Sequence, residues 1–148
     1  MTKASSTKSG TIPPMAQLLG WGGVIPFLGC GLAVHTNNAD LVLYGFVGGT
    51  SYAAVILTFL GAVHWGLAMS DNRPQGWFIW STTPSLLAWA SLLIFDVDLR
   101  LYALVPLFGL AWCVDRIAAN QQLIPVRYMR LRTRLTIGAI AGLLLMML

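Results

Sequence analysis

Few residues in this sequence can move a proton, hold a metal or attack an electrophile. Besides hydroxyls, the chain offers two histidines, two cysteines and five acidic residues, all of them aspartates. His64 is the most informative of these, because it lies inside a long apolar run. Thr82, Thr83, Ser85, Asp115 and Arg116 fall toward the same end of neighbouring runs. An imidazole and a carboxylate at one depth, with hydroxyls nearby, suit proton transfer or the binding of a polar ligand. Trp65, Trp77 and Trp80 surround that level. Two readings stay open. In one, these residues form a polar site. In the other, His64 is a neutral side chain bonded to a neighbouring helix, and the rest is a belt of interfacial Trp with a surface Asp–Arg pair.

Other chemistries are excluded by position. His35 lies in a connector at the opposite end from His64, so one chain cannot hold a haem between them. Cys30 and Cys113 fall toward opposite ends of their runs, beyond the ~7 Å limit for a disulfide. Neither has a Cys or His at metal-ligand spacing. There is no nucleophile triad, phosphate-binding loop or H-E-x-x-H motif. Hence no catalytic residue, metal or cofactor is predicted.

These residues sit in a chain whose composition fixes its surroundings. Hydrophobic residues make up 57% of it and charged residues 9%, against ~25% charged in soluble domains. So little charge cannot cover a water-exposed surface, and the predicted partner of most of the surface is the lipid bilayer. The net charge of +4 does not indicate nucleic acid, because the basic residues flank the apolar runs as topological signals do.

The runs are continuously apolar and not alternating, which predicts helices over a β-barrel. The expected fold is an all-α integral membrane bundle of about five transmembrane helices of ~17–25 residues, with spans at about 14–34, 41–69, 77–95, 99–116 and 131–148. Residues 1–12 read as a disordered cytoplasmic tail and residues 13–148 as one transmembrane domain. The last run is short unless Leu131 to Arg134 belong to it, with their long side chains snorkelling to the interface. A cytoplasmic N-terminus puts eight basic residues on the inner side (Lys3, Lys8, Arg73, Arg116, Arg127, Arg130, Arg132, Arg134) and only Arg100 outside. That is the positive-inside bias.

Gly45, Gly49 and Ala53 recur every four residues, and Gly61 continues their row. Small residues on one helix face let backbones approach closely in lipid. His64 shares this face, so it is predicted to face protein. Gly138 and Gly142 form a second such pair, suited to intrachain packing or to dimerisation. Pro26, Pro84 and Pro106 are predicted to interrupt helices, freeing the carbonyls of Gly22, Trp80 and Tyr102.

The segment Tyr52-Ala-Ala-Val-Ile-Leu-Thr-Phe-Leu-Gly-Ala-Val-His-Trp-Gly66 resembles the core motif of a family of multi-pass membrane proteins, the domain of unknown function 3429 family. Ile25-Pro26-Phe27, Pro84 to Trp89, Asp115, Arg127-Tyr128 and Leu131 to Thr136 agree with it, so the resemblance runs from about Pro14 to Leu148. It implies a helical protein of a bacterial inner or mitochondrial membrane and brings no reaction or catalytic residues. The tail lacks the Arg of a mitochondrial presequence, so the bacterial inner membrane is expected.

Three functions are compatible with these observations. The favoured one is a non-catalytic accessory or assembly component of a larger membrane complex, with other membrane subunits or a second copy as partners. The others are a small oligomeric transporter or channel and a membrane redox or enzyme component using His64 and Asp115.

Overall fold

A computed structural model describes residues 12–148 of the chain. The tail read over 1–12 lies outside the described residues except for Ile12. The described residues form an all-α structure of six helices: α1 (Pro14–Gly22), α2 (Ile25–Ala33), α3 (Ala39–Ser70), α4 (Gly76–Leu92), α5 (Val97–Asn120) and α6 (Val126–Leu145). Three stretches are long and apolar enough to cross a membrane: Pro14–Ala33, Ala39–Ser70 and Val97–Asn120.

Local sequence explains most boundaries. The Asn38 side chain accepts from the backbone N–H of Asp40 and Leu41 and so starts α3, while that of Asp96 accepts from Leu99 and starts α5. Both satisfy N–H groups that a helix start leaves without partners. The α3–α4 and α5–α6 turns pass through Asn72 and Gln122, each with positive φ. In each turn the next N–H reaches back into the helix, Arg73 to the Ala68 carbonyl and Leu123 to that of Ala118. Arg73 Nη2 then donates to the Leu123 carbonyl at 2.8 Å and joins the two turns. The same guanidinium bonds Asp71, and with Ser70 it holds that exposed carboxyl below its usual range.

Three sequence expectations need correcting. First, of the three helices expected to be interrupted at a proline, the first run does break, at Gly23–Val24 into α1 and α2, whereas Pro84 and Pro106 lie inside continuous α4 and α5. Pro26 lies in the first turn of α2, where its missing N–H costs nothing. Beside this break the Gly23 carbonyl takes the Tyr52 hydroxyl at 3.0 Å. Second, α6 begins at Val126, ahead of the apolar run starting near 131. Third, Arg132 does not snorkel, being 5% exposed.

The core runs down the middle of the helices. Phe27, Leu57, Leu101, Leu104, Phe108 and Leu143 are fully buried. Helix α3 is the hub, packing on α2, α4, α5 and α6, while α2 and α6 close the far side. The predicted small-residue faces lie at these seams. A Cβ at Gly61 would run into the Ser81 carbonyl oxygen of α4, and one at Gly45 would sit 3.0 Å from the Cys30 carbonyl oxygen of α2. Gly138 and Gly142 are used within the chain: a Cβ at Gly142 would lie 2.8 Å from the Phe27 carbonyl carbon.

Candidate functional site

The buried stripes that build the core continue one or two turns beyond its apolar part and end in polar residues. On α3 the stripe is Leu57, Gly61, His64, Ala68; on α5 it is Phe108, Ala111, Asp115, Ala118; on α6 it is Met129, Arg132, Thr136, Ala139. Spacings of three and four keep each set on one helix face. Three helices therefore deliver an imidazole, a carboxylate and a guanidinium to one point inside the bundle.

There Asp115 takes a partner on each oxygen. His64 Nε2 lies 2.7 Å from Oδ1, and Arg132 Nε donates to Oδ2. A carboxylate accepts, so Nε2 carries the hydrogen of this bond. Arg132 Nη1 donates to the Thr136 hydroxyl at 3.3 Å. His64 is 2% exposed, and Asp115 and Arg132 are each 5%. The Trp77 ring stacks on the imidazole at 5.2 Å and 17°, and the Arg73 guanidinium lies 5.9 Å from that indole on the side of the turn. Beyond the triad, Ala118, Ala119, Ile124 and Met129 form a second apolar cluster that closes the bundle end. Two buried nitrogens of the triad, His64 Nδ1 and Arg132 Nη2, have no partner among the described residues.

Of the residues singled out in the sequence, the structure brings together His64 and Asp115. It does not bring in the others. The Thr82 and Thr83 hydroxyls donate to the Ile79 carbonyl of their own helix, and Thr82 faces outward. Ser85 is half-buried on α4 and Arg116 is exposed. None of these four side chains bonds to the triad. Trp77 joins the site, whereas Trp65 packs edge-on against Phe78 at the surface. Arg132 is the residue that sequence reasoning missed. Its signal was available: Met129, Arg132, Thr136 and Ala139 form a helical stripe distinct from Arg127, Arg130 and Arg134.

The arrangement supplies a hydrogen-bonded link among three helices. It offers no nucleophile: His64 Nδ1 meets no hydroxyl or thiol, and Cys113 is exposed elsewhere on α5. No cluster of three or more His, Cys, Asp or Glu side chains able to hold a metal occurs among the described residues.

The family described as "protein of unknown function (DUF3429)" matches residues 12–148. The chain is also similar to transmembrane protein 69 of Xenopus tropicalis, 33% identical over 135 residues that cover 88% of this chain and 53% of that protein. It thus spans about half the length of the curated relative it matches. No solved structure matches it.

Proposed function

The chain belongs to the DUF3429 family, an integral membrane family without an assigned activity, and on that premise we propose that it is a non-catalytic accessory or assembly component of a larger membrane complex. The observation that supports this is the mutual engagement of the side chains in its polar centre. Asp115 has both oxygens engaged by other helices, and all three charged or titratable side chains are at least nine-tenths buried. Such a group holds helices together; a group that turns over substrate must meet it.

The test is isolation from native membranes with a mild detergent, followed by mass spectrometry. A partner membrane protein present in stoichiometric amount is the expected result. Recovery of the chain alone, together with substrate flux in reconstituted vesicles, replaces this reading with the transporter.

The arrangement in the membrane is part of the proposal: a bacterial inner membrane crossed five times, with α1 and α2 making one crossing together and the N-terminus in the cytoplasm. Helix α4 has 17 residues, the lower end of the ~17–25 that span a bilayer. The arginines of α6 are confined to its first half, and Arg132 among them is neutralised by Asp115. Discounting Arg132, the remaining arginines of the described residues still divide as Arg73, Arg116, Arg127, Arg130 and Arg134 at one end and Arg100 at the other. Single cysteines placed at Asn38, Asn72 and Gln121 in a Cys-free background test this orientation. An impermeant thiol reagent added outside the cell is expected to label only the first. Labelling of Asn72 or Gln121, with Asn38 protected, reverses the orientation.

A further inference from the structure

Helices α1, α2, α3 and α6 enclose a cavity of about 460 Å³, within the ~300–1,000 Å³ typical of ligand sites. Its wall is aliphatic and aromatic, with Leu19, Phe27, Phe59, Phe108 and Leu135 prominent. Polar side chains enter it only from α6, where Tyr128, Arg132 and Thr136 follow one another along the helix. Arg132 is 5% exposed, and its Nη2 is the nitrogen without a partner among the described residues. A second cavity of about 310 Å³ adjoins the first, since Ile12 and Leu131 line both. The second is bordered by Arg127, Arg130 and Arg134, with Trp21 and Gln17 of α1 opposite.

We propose that these two neighbouring cavities together bind one anionic phospholipid, with an acyl chain in the larger cavity and the phosphate at Arg130 and Arg134. Two features of the groove fit that ligand together. The apolar part takes hydrocarbon, and the basic mouth takes a net negative headgroup. Between them the Arg132 side chain joins the wall, with Tyr128 and Thr136 of the same helix. The dimensions agree as well. From Arg127 to Ala139 the groove follows α6 for twelve residue steps, or about 18 Å at ~1.5 Å per residue. One leaflet of hydrocarbon is about 15 Å deep, half the ~30 Å core. A soluble anion would leave the apolar cavity unused, and a zwitterionic lipid gives the mouth no net charge to meet. The proposal needs the bundle to be in a membrane but not to have a protein partner, so it stands or falls separately from the assembly reading.

The test uses the full chain in mild detergent. Thermal stability is followed on adding phosphatidylglycerol, phosphatidylcholine of the same acyl chains, or inorganic phosphate, and copurifying lipids are compared with those of the source membrane. Phosphatidylglycerol is expected to be enriched and to stabilise the protein, while the other two additions have little effect. Replacing both Arg130 and Arg134 with Gln removes two exposed charges that the fold does not need. The double variant is expected to weaken phosphatidylglycerol binding about 30-fold, from roughly fivefold per basic residue at an anionic surface. Val63→Trp, which fills the cavity wall, is expected to abolish the effect while circular dichroism shows unchanged helix content. Copurified lipid that mirrors the membrane overturns the proposal, as does equal stabilisation by phosphatidylcholine or by phosphate. Undiminished phosphatidylglycerol binding by the Arg130→Gln/Arg134→Gln variant overturns it too, even if Val63→Trp fails to fold.

Discussion

Asp115→Ala is expected to lower stability by about 3–5 kcal/mol, the cost of leaving a buried charge without its counter-charge. In a chain of this size that is a fall of roughly 6–20 °C in the melting temperature at ~2–4 °C per kcal/mol. The reason is the triad geometry. Removing the carboxylate strands the Arg132 guanidinium, 5% exposed, and leaves His64 Nε2 without an acceptor. The pair Asp115→Leu with Arg132→Met removes both charges and is expected to recover most of the loss, because apolar side chains of similar volume often replace a buried ion pair without cost. His64 divides the effect further. His64→Gln keeps a donor for Asp115 Oδ1, whereas His64→Leu removes it, so the Leu variant is expected to be the less stable by about 1–3 kcal/mol. Thermal unfolding followed by circular dichroism in one detergent measures the whole series. A wild-type melting temperature for Asp115→Ala shows that the triad is not a structural link.

The second large effect is expected at two glycines. Gly61→Ala and Gly142→Ala each place a methyl group against the backbone of a facing helix, at the Ser81 carbonyl and at Phe27 respectively. Backbone cannot turn aside as a side chain can, so the helices must separate, and overpacking of this kind costs about 1–3 kcal/mol. The control lies on the same helix. Gly66 has nothing within 4 Å of where its Cβ would be, so Gly66→Ala is expected to be neutral or to gain up to about 1 kcal/mol of helix propensity. Gly61 and Gly142 serve different seams with no shared partner, so their losses are expected to add within about 0.5 kcal/mol. Equal stability of the Gly61, Gly66 and Gly142 variants removes the claim that close approach holds the bundle.

How much of this was legible beforehand depends on which geometric coordinate is asked for. Depth along the bundle follows from counting residues between charged connectors, and on that count His64 and Asp115 fall at one level. The face of a helix is legible only where its own neighbours mark it. Gly61 and Ala68 marked that of His64, and the structure buries it there. On α4 the buried face is a stripe of small residues, Ser81, Pro84, Ala88 and Ser91, and Thr82 and Thr83 lie off it. Arg132 was obscured for a different reason. Four arginines in eight residues read as a topological signal, and the one turned inward is distinguished by its stripe and not by its type. The break between α1 and α2 was signalled by Pro26, but its position and its hydrogen-bond partner Tyr52 depend on a contact 29 residues away.

The way α2 and α6 meet has a consequence for the making of the protein. Phe27, 1% exposed, is covered in part by Gly142, and the His35 imidazole bonds the Leu145 carbonyl across 110 residues. At ~5–20 residues per second of synthesis, the stretch from Ala33 to Val126 takes roughly 5–20 s to emerge. During that interval the early helix has no lasting neighbour on that side, and Asp115 enters the membrane before Arg132 does. An early-made segment waiting on a late one is where a membrane insertase or chaperone has the longest time to act. The docking of α6, the last helix made, closes the seam and the ion pair together.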